Sequence, residues 1–81
     1  MNIRYTQRGF ALAEFTDRYN AACSIQNSSL ASEPCIWLGV HEVAGEPARM
    51  HLTQEMVAAL LPLLQRFVET GSIAEVDDET R

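Results

Sequence analysis

Arg49 and His51 are the residues of this 81-residue chain whose types and spacing best suit binding chemistry. In Ala48–Leu52 they alternate with Met50 and Leu52. At the two-residue period of a strand, the guanidinium and the imidazole therefore share one face. An arginine presents a planar fork to a phosphate or carboxylate, and the imidazole is titratable. Trp37 sits in a second alternating stretch, Cys35–Val40, on the side that also carries Cys35 and Gly39. If these strands are neighbours, Trp37 stands beside the Arg49–His51 column, where it can stack on a base or cap the guanidinium. Ser24 and Gln26, on the polar side of Ala21–Asn27, and Ser28 just beyond it add hydroxyl and amide groups. Arg49, His51, Trp37, Gln26, Ser24 and Ser28 form the candidate ligand-binding set. Three readings of that face are open. It is a subunit interface, where Trp and Arg are enriched, or a surface for an anionic small ligand, or the ordinary wet side of a sheet. The first two are compatible.

Other chemistries find less support. No Ser/His/Asp order, nucleophile elbow or Gly-rich phosphate loop is present. Glu14 and Asp17 have no partner spaced for paired acid–base work, and Glu42 beside His41 lies in a Gly/Pro loop. No catalytic residue is assigned, and the chain is read as a non-enzyme that needs no cofactor. Cys23, Cys35, His41 and His51 are scattered without the spacing of a metal site, so no metal ligand is assigned. Cys23 phases with the inner side of its strand and Cys35 with the outer side. The two thiols are therefore expected to face apart and to stay unpaired.

The elements that must position these residues are short and regular. Phe10–Thr16 and Ala21–Asn27 read as strands joined at the turn-like Asp17–Asn20, where Asn20 accepts a left-handed backbone. Cys35–Val40 is a third strand and Ala48–Leu52 a fourth, separated by a loop containing Gly45 and Pro47. Thr53 reads as a helix N-cap, with Glu55 in the first turn at the positive end of the helix dipole. Val57, Leu60, Leu61, Leu64, Phe67 and Val68 make one apolar stripe, with Pro62 on the opposite arc and Gly71 ending the helix. The expected fold is a small two-layer α+β domain over residues 1–73. An antiparallel sheet of about four strands has one C-terminal helix packed on one face, leaving the Arg49 face bare.

Charge and composition narrow the partners. There are eleven acidic residues against six arginines and no lysine, for a net charge of −5. The segment 74–81 carries −3 of this, which reads as an acidic solvated tail on a nearly balanced body. No basic footprint for direct nucleic-acid binding is present. No apolar run is long enough to span a membrane, and no signal peptide is visible, so the expected location is the cytoplasm. At 47% hydrophobic residues the chain is too apolar to be disordered as a whole. Its small size points to marginal stability alone, and hence to a homo-oligomer, a dimer or higher.

Three blocks in order, "CSIQNSSLA", "IWLGV" and "RMHLTQEMVAALLPLLQRFVETG", resemble a group of short uncharacterised proteins encoded by tailed phages and by mobile elements in bacterial genomes. The resemblance spans roughly Phe10 to Ile73. It implies a setting, not a reaction: small phage accessory proteins commonly act by binding. The expectation is a non-enzymatic antagonist of host defence that binds or sequesters an anionic small ligand, such as a nucleotide signal. The alternative is an inhibitor of a host protein or defence complex, including an anti-CRISPR-like one. In similar proteins the loop at His41–Ala48 is longer, so a function housed in that loop does not carry over to this chain.

Overall fold

The computed structural model describes residues 1–74. Most of the segment read as an acidic tail lies outside the described residues. Seven strands precede one helix: β1 (Arg4–Tyr5), β2 (Ala11–Thr16), β3 (Ala22–Asn27), β4 (Cys35–Val40), β5 (Glu42–Val43), β6 (Glu46–Pro47), β7 (Met50–Thr53) and α1 (Gln54–Thr70). The α+β class is as expected. The main sheet is an antiparallel meander of five strands in the order β1-β2-β3-β4-β7, and β5 and β6 form a separate two-stranded ribbon. Thus the expected four strands become five, because Arg4–Tyr5 pairs with Ala11–Leu12 at the edge. Two residues are too few to show a period in the sequence.

Turn chemistry fixes the register. Asp17 Oδ1 accepts from the backbone N–H groups of Tyr19 and Ala21, and Asn20 sits at φ 67°, so the β2–β3 hairpin closes where the sequence places it. In the β5–β6 ribbon, Ala44 and Gly45 lie at φ 53° and 82°. Two consecutive positive φ values are the signature of a two-residue type I′ turn, whose twist matches that of the flanking strands.

Pairing divides the sheet into two faces. The rows Phe15–Cys23–Val40, Ala13–Ile25–Leu38–Met50 and Asn27–Ile36–Leu52 lie on one side. That side is apolar apart from Asn27 and carries no charge in these rows. Ala13, Cys23 and Leu52 are buried there, whereas Met50, expected to point into a core, is exposed. The other side carries Glu14, Ser24, Gln26, Trp37 and His51.

The helix begins and ends as its sequence dictates. Thr53, extended at φ −82° and ψ 168°, accepts the Met56 N–H on its hydroxyl. Gly71, left-handed at φ 82°, returns its N–H to the Phe67 carbonyl at 2.8 Å. Its placement departs from the sequence expectation. No residue of α1 is buried, and Leu61, Leu64 and Phe67 are 58%, 53% and 54% exposed. The stripe expected to cover the sheet therefore stands open, and α1 chiefly touches β7, the strand it continues. The cause is the junction: β7 ends at Thr53 and α1 begins at Gln54. Strand-to-helix connections that fold a helix back over its sheet use about 2–6 residues. With none, the helix runs on from the strand end.

Candidate functional site

The polar face is built as two cross-strand rows. Gln26, Trp37 and His51 are register partners on β3, β4 and β7. One row further, Ser24 pairs with Gly39, and the backbone of Arg49 lies alongside that glycine. Arg49 Nη1 donates to Ser24 Oγ at 3.0 Å and to Gln26 Oε1 at 2.9 Å. Its side chain therefore starts beside β4, crosses it and ends over β3. Gly39 lies under that crossing, and a Cβ built there would meet the Arg49 Cα at an ordinary contact distance of 3.6 Å. Its φ of 136° belongs to glycine. The sequence reading placed Gly39 on this face without a role. A missing side chain gives no pattern signal until the arginine above it is seen.

Trp37 and His51 stack with ring centroids 4.0 Å apart and planes 12° from parallel. The Arg49 Cζ lies 5.9 Å from the Trp37 ring centroid, within cation–π range. His51 Nε2 is hydrogen-bonded to Ser28 Oγ at 2.8 Å, and that same oxygen accepts the Leu30 N–H at 3.1 Å. All six candidate residues thus join one connected cluster. Ser24 differs from the others: it is fully buried, 0% exposed, and cannot itself meet a ligand. Its hydroxyl positions Arg49.

The electrostatics of Arg49 set it apart. Two neutral acceptors hold Nη1, and among the described residues no carboxylate forms an ion pair with the guanidinium. Glu14 lines the same cleft as Arg49, but it is engaged by Arg4. The result is a half-buried fixed cation, with Nε and Nη2 making no hydrogen bond to any described residue. Two clefts are lined in part by Trp37. One lies between Trp37 and the β1–β2 turn and is lined by Thr6, Gln7, Arg8, Phe10, Gln26 and Ser29. A second runs from Trp37 and Arg49 to His41 and Pro47 beside the small ribbon. Arg8 carries no signal in the sequence, because its turn comes to Trp37 only through the β1–β2 pairing.

The other chemical candidates stay apart. Cys23 and Cys35 are free and buried. Cys35 keeps the strand phase of Trp37, as expected, but it is buried where β4 meets the start of α1, in a cleft also lined by Pro34, Thr53 and Val57. Burial, and then the carboxylate of Glu33, push its thiol up from the ordinary value. Among the described residues, no three His, Cys, Asp or Glu side chains are grouped to hold a metal ion. Nor is any described helix long and apolar enough to cross a membrane. Compared with protein-family models, curated proteins and solved structures, the chain matches none.

Proposed function

We propose that the polar sheet face binds an anionic small ligand of the nucleotide class without turning it over. The observation that carries this reading is Arg49: a guanidinium held rigid by Ser24 and Gln26, lacking a carboxylate partner among the described residues, on a chain of net charge −5. A fixed cation kept without a counter-charge is matched to an incoming anion, and its fork suits phosphate oxygens. Trp37 supplies a surface for a planar ring, Gln26 and Ser28 supply hydrogen bonds, and His51 buttresses the tryptophan. Ser28 Oγ and His51 Nε2 are in contact at 2.8 Å, but among the described residues no carboxylate is hydrogen-bonded to that imidazole to orient it as a base, so the reading is capture and not catalysis. Set in a phage or mobile element, such a protein would act in the host cytoplasm by sequestering a nucleotide signal used in defence.

The test is native mass spectrometry of the purified protein with mononucleotides and cyclic dinucleotides. The wild type should retain a phosphate-bearing adduct. Arg49→Ala should lose it while keeping a wild-type circular dichroism spectrum and assembly state, and retention of the adduct by that variant would sink the assignment. Truncating a charge-assisted contact of this kind costs about 1.5–3 kcal/mol, a loss of roughly ten- to a hundred-fold in affinity. The second reading, inhibition of a host enzyme or defence complex through a protein contact, draws support from the open apolar stripe of α1.

A further inference from the structure

We infer that the apolar face of the sheet and the apolar stripe of α1 are the two halves of one core, completed between two copies of this chain that exchange their helices. Each helix lies across the partner's sheet. The inference concerns the face opposite Arg49 and does not depend on what ligand, if any, binds there.

Four observations point to a second copy of the chain. First, the two surfaces are chemically matched. Phe15, Ile25, Ile36, Leu38 and Val40 present an uncharged sheet face, and Val57, Leu60, Leu61, Leu64, Phe67 and Val68 present an uncharged helix stripe. Second, they match in size. A 17-residue helix is about 25 Å long, and five strands spaced by about 4.8 Å span a similar width. Third, the abrupt Thr53–Gln54 junction keeps the helix from folding back onto its own sheet, and short junctions of this kind favour exchange between copies.

Fourth, the exposed area is that of half an assembly. The chain exposes 6635 Å², whereas a compact monomer of its mass exposes about 4,900 Å². Residues 75–81, even counted at an unfolded-chain value of about 160 Å² each, account for no more than about 1,100 Å². Measured against the roughly 4,500 Å² of a compact 74-residue body, about 1,000 Å² per chain is left over. Two chains covering that excess would bury about 2,000 Å² in total, where obligate homodimer interfaces begin. The open stripe supplies the apolar surface such interfaces need.

Native mass spectrometry of the wild-type protein at micromolar concentration should give a dimer, at twice the 9.0 kDa chain mass. A monomer or any other stoichiometry overturns the inference, and a monomer hands the stripe to a foreign protein. The geometry is tested by co-refolding two variants, Leu38→Cys at the centre of the sheet face and Leu64→Cys at the centre of the stripe. A short bis-maleimide reagent should then link the two different chains. Little crosslinking should occur when either variant is refolded alone, beyond the background from Cys23 and Cys35 seen in the wild type. Self-linking of Leu64→Cys would mean that two helices pair with each other, and no link in the mixture would mean that the helix never reaches the partner's sheet. Either result overturns the exchange.

Discussion

At the scale of single residues, the site depends on one backbone conformation as well as on the groups that make contacts. The strand that carries Trp37 passes through Gly39 at φ 136°, alongside the backbone of Arg49. A Gly39→Ala variant should therefore be strained where the site is built. Holding a non-glycine residue at φ 136° costs on the order of 1–3 kcal/mol, visible as a lower urea midpoint. The strain falls beside the Arg49 backbone, so a shift that relieves it should displace the guanidinium and lower nucleotide retention in the folded variant. If retention is unchanged in the folded variant, Gly39 has no part in placing Arg49. The face of Ser24, Gln26, Trp37, Arg49 and His51 was legible in the sequence because a strand's period of two sorts side chains by face with no knowledge of the partner strand, whereas Ser28, beyond the end of β3, is placed by its hydrogen bond to His51. Their division of labour was not legible. Ser24 looks like any outward serine until the guanidinium is seen covering it, and Arg8 belongs to a turn whose position only tertiary pairing decides.

At the scale of elements, local chemistry accounts for nearly every boundary. Asp17 and Asn20 close the first long hairpin, Thr53 starts the helix and Gly71 ends it, each through a hydrogen bond or a backbone conformation that its residue type favours. One element carries a residue ill-suited to its place. Ala44 occupies the first left-handed position of a type I′ turn, where Asn is preferred and alanine is strained. Ala44→Asn should stabilise the protein by about 0.5–1 kcal/mol, raising the thermal midpoint by roughly 2–8 °C for a domain this size. Differential scanning calorimetry would check this, and an unchanged midpoint would mean that the ribbon melts before the rest. In the sequence the ribbon shows only as a loop, since two strands of two residues each are shorter than any periodic signal.

At the scale of the molecule, the sequence predicts a helix stripe that needs covering and a sheet face that needs a cover. It does not say that the cover comes from another chain. Periodicity reports which side of an element is apolar. The length of the β7–α1 junction decides whose apolar side it meets, and that length depends on where the strand stops and the helix begins. Inserting about six Gly/Ser residues between Thr53 and Gln54 should supply the slack that compact folds use for this connection. The expected product is a monomer whose helix folds onto its own sheet, seen as a halved mass and a smaller hydrodynamic radius per chain than the unfolded protein has. A dimer that persists unchanged would show that the junction does not dictate the exchange.

The direct passage from Thr53 to Gln54 also has a consequence for time. On the helix exchange inferred above, the helix closes only on a partner's sheet, which makes the last step of folding second order in protein. Refolding should quicken with concentration, and chains released singly from the ribosome should spend their first moments with Leu61, Leu64 and Phe67 uncovered. In that interval the chain is a substrate for chaperones and proteases. The same exchange predicts that accumulation rises more steeply than in proportion to the rate of synthesis, since faster synthesis shortens the wait for a partner.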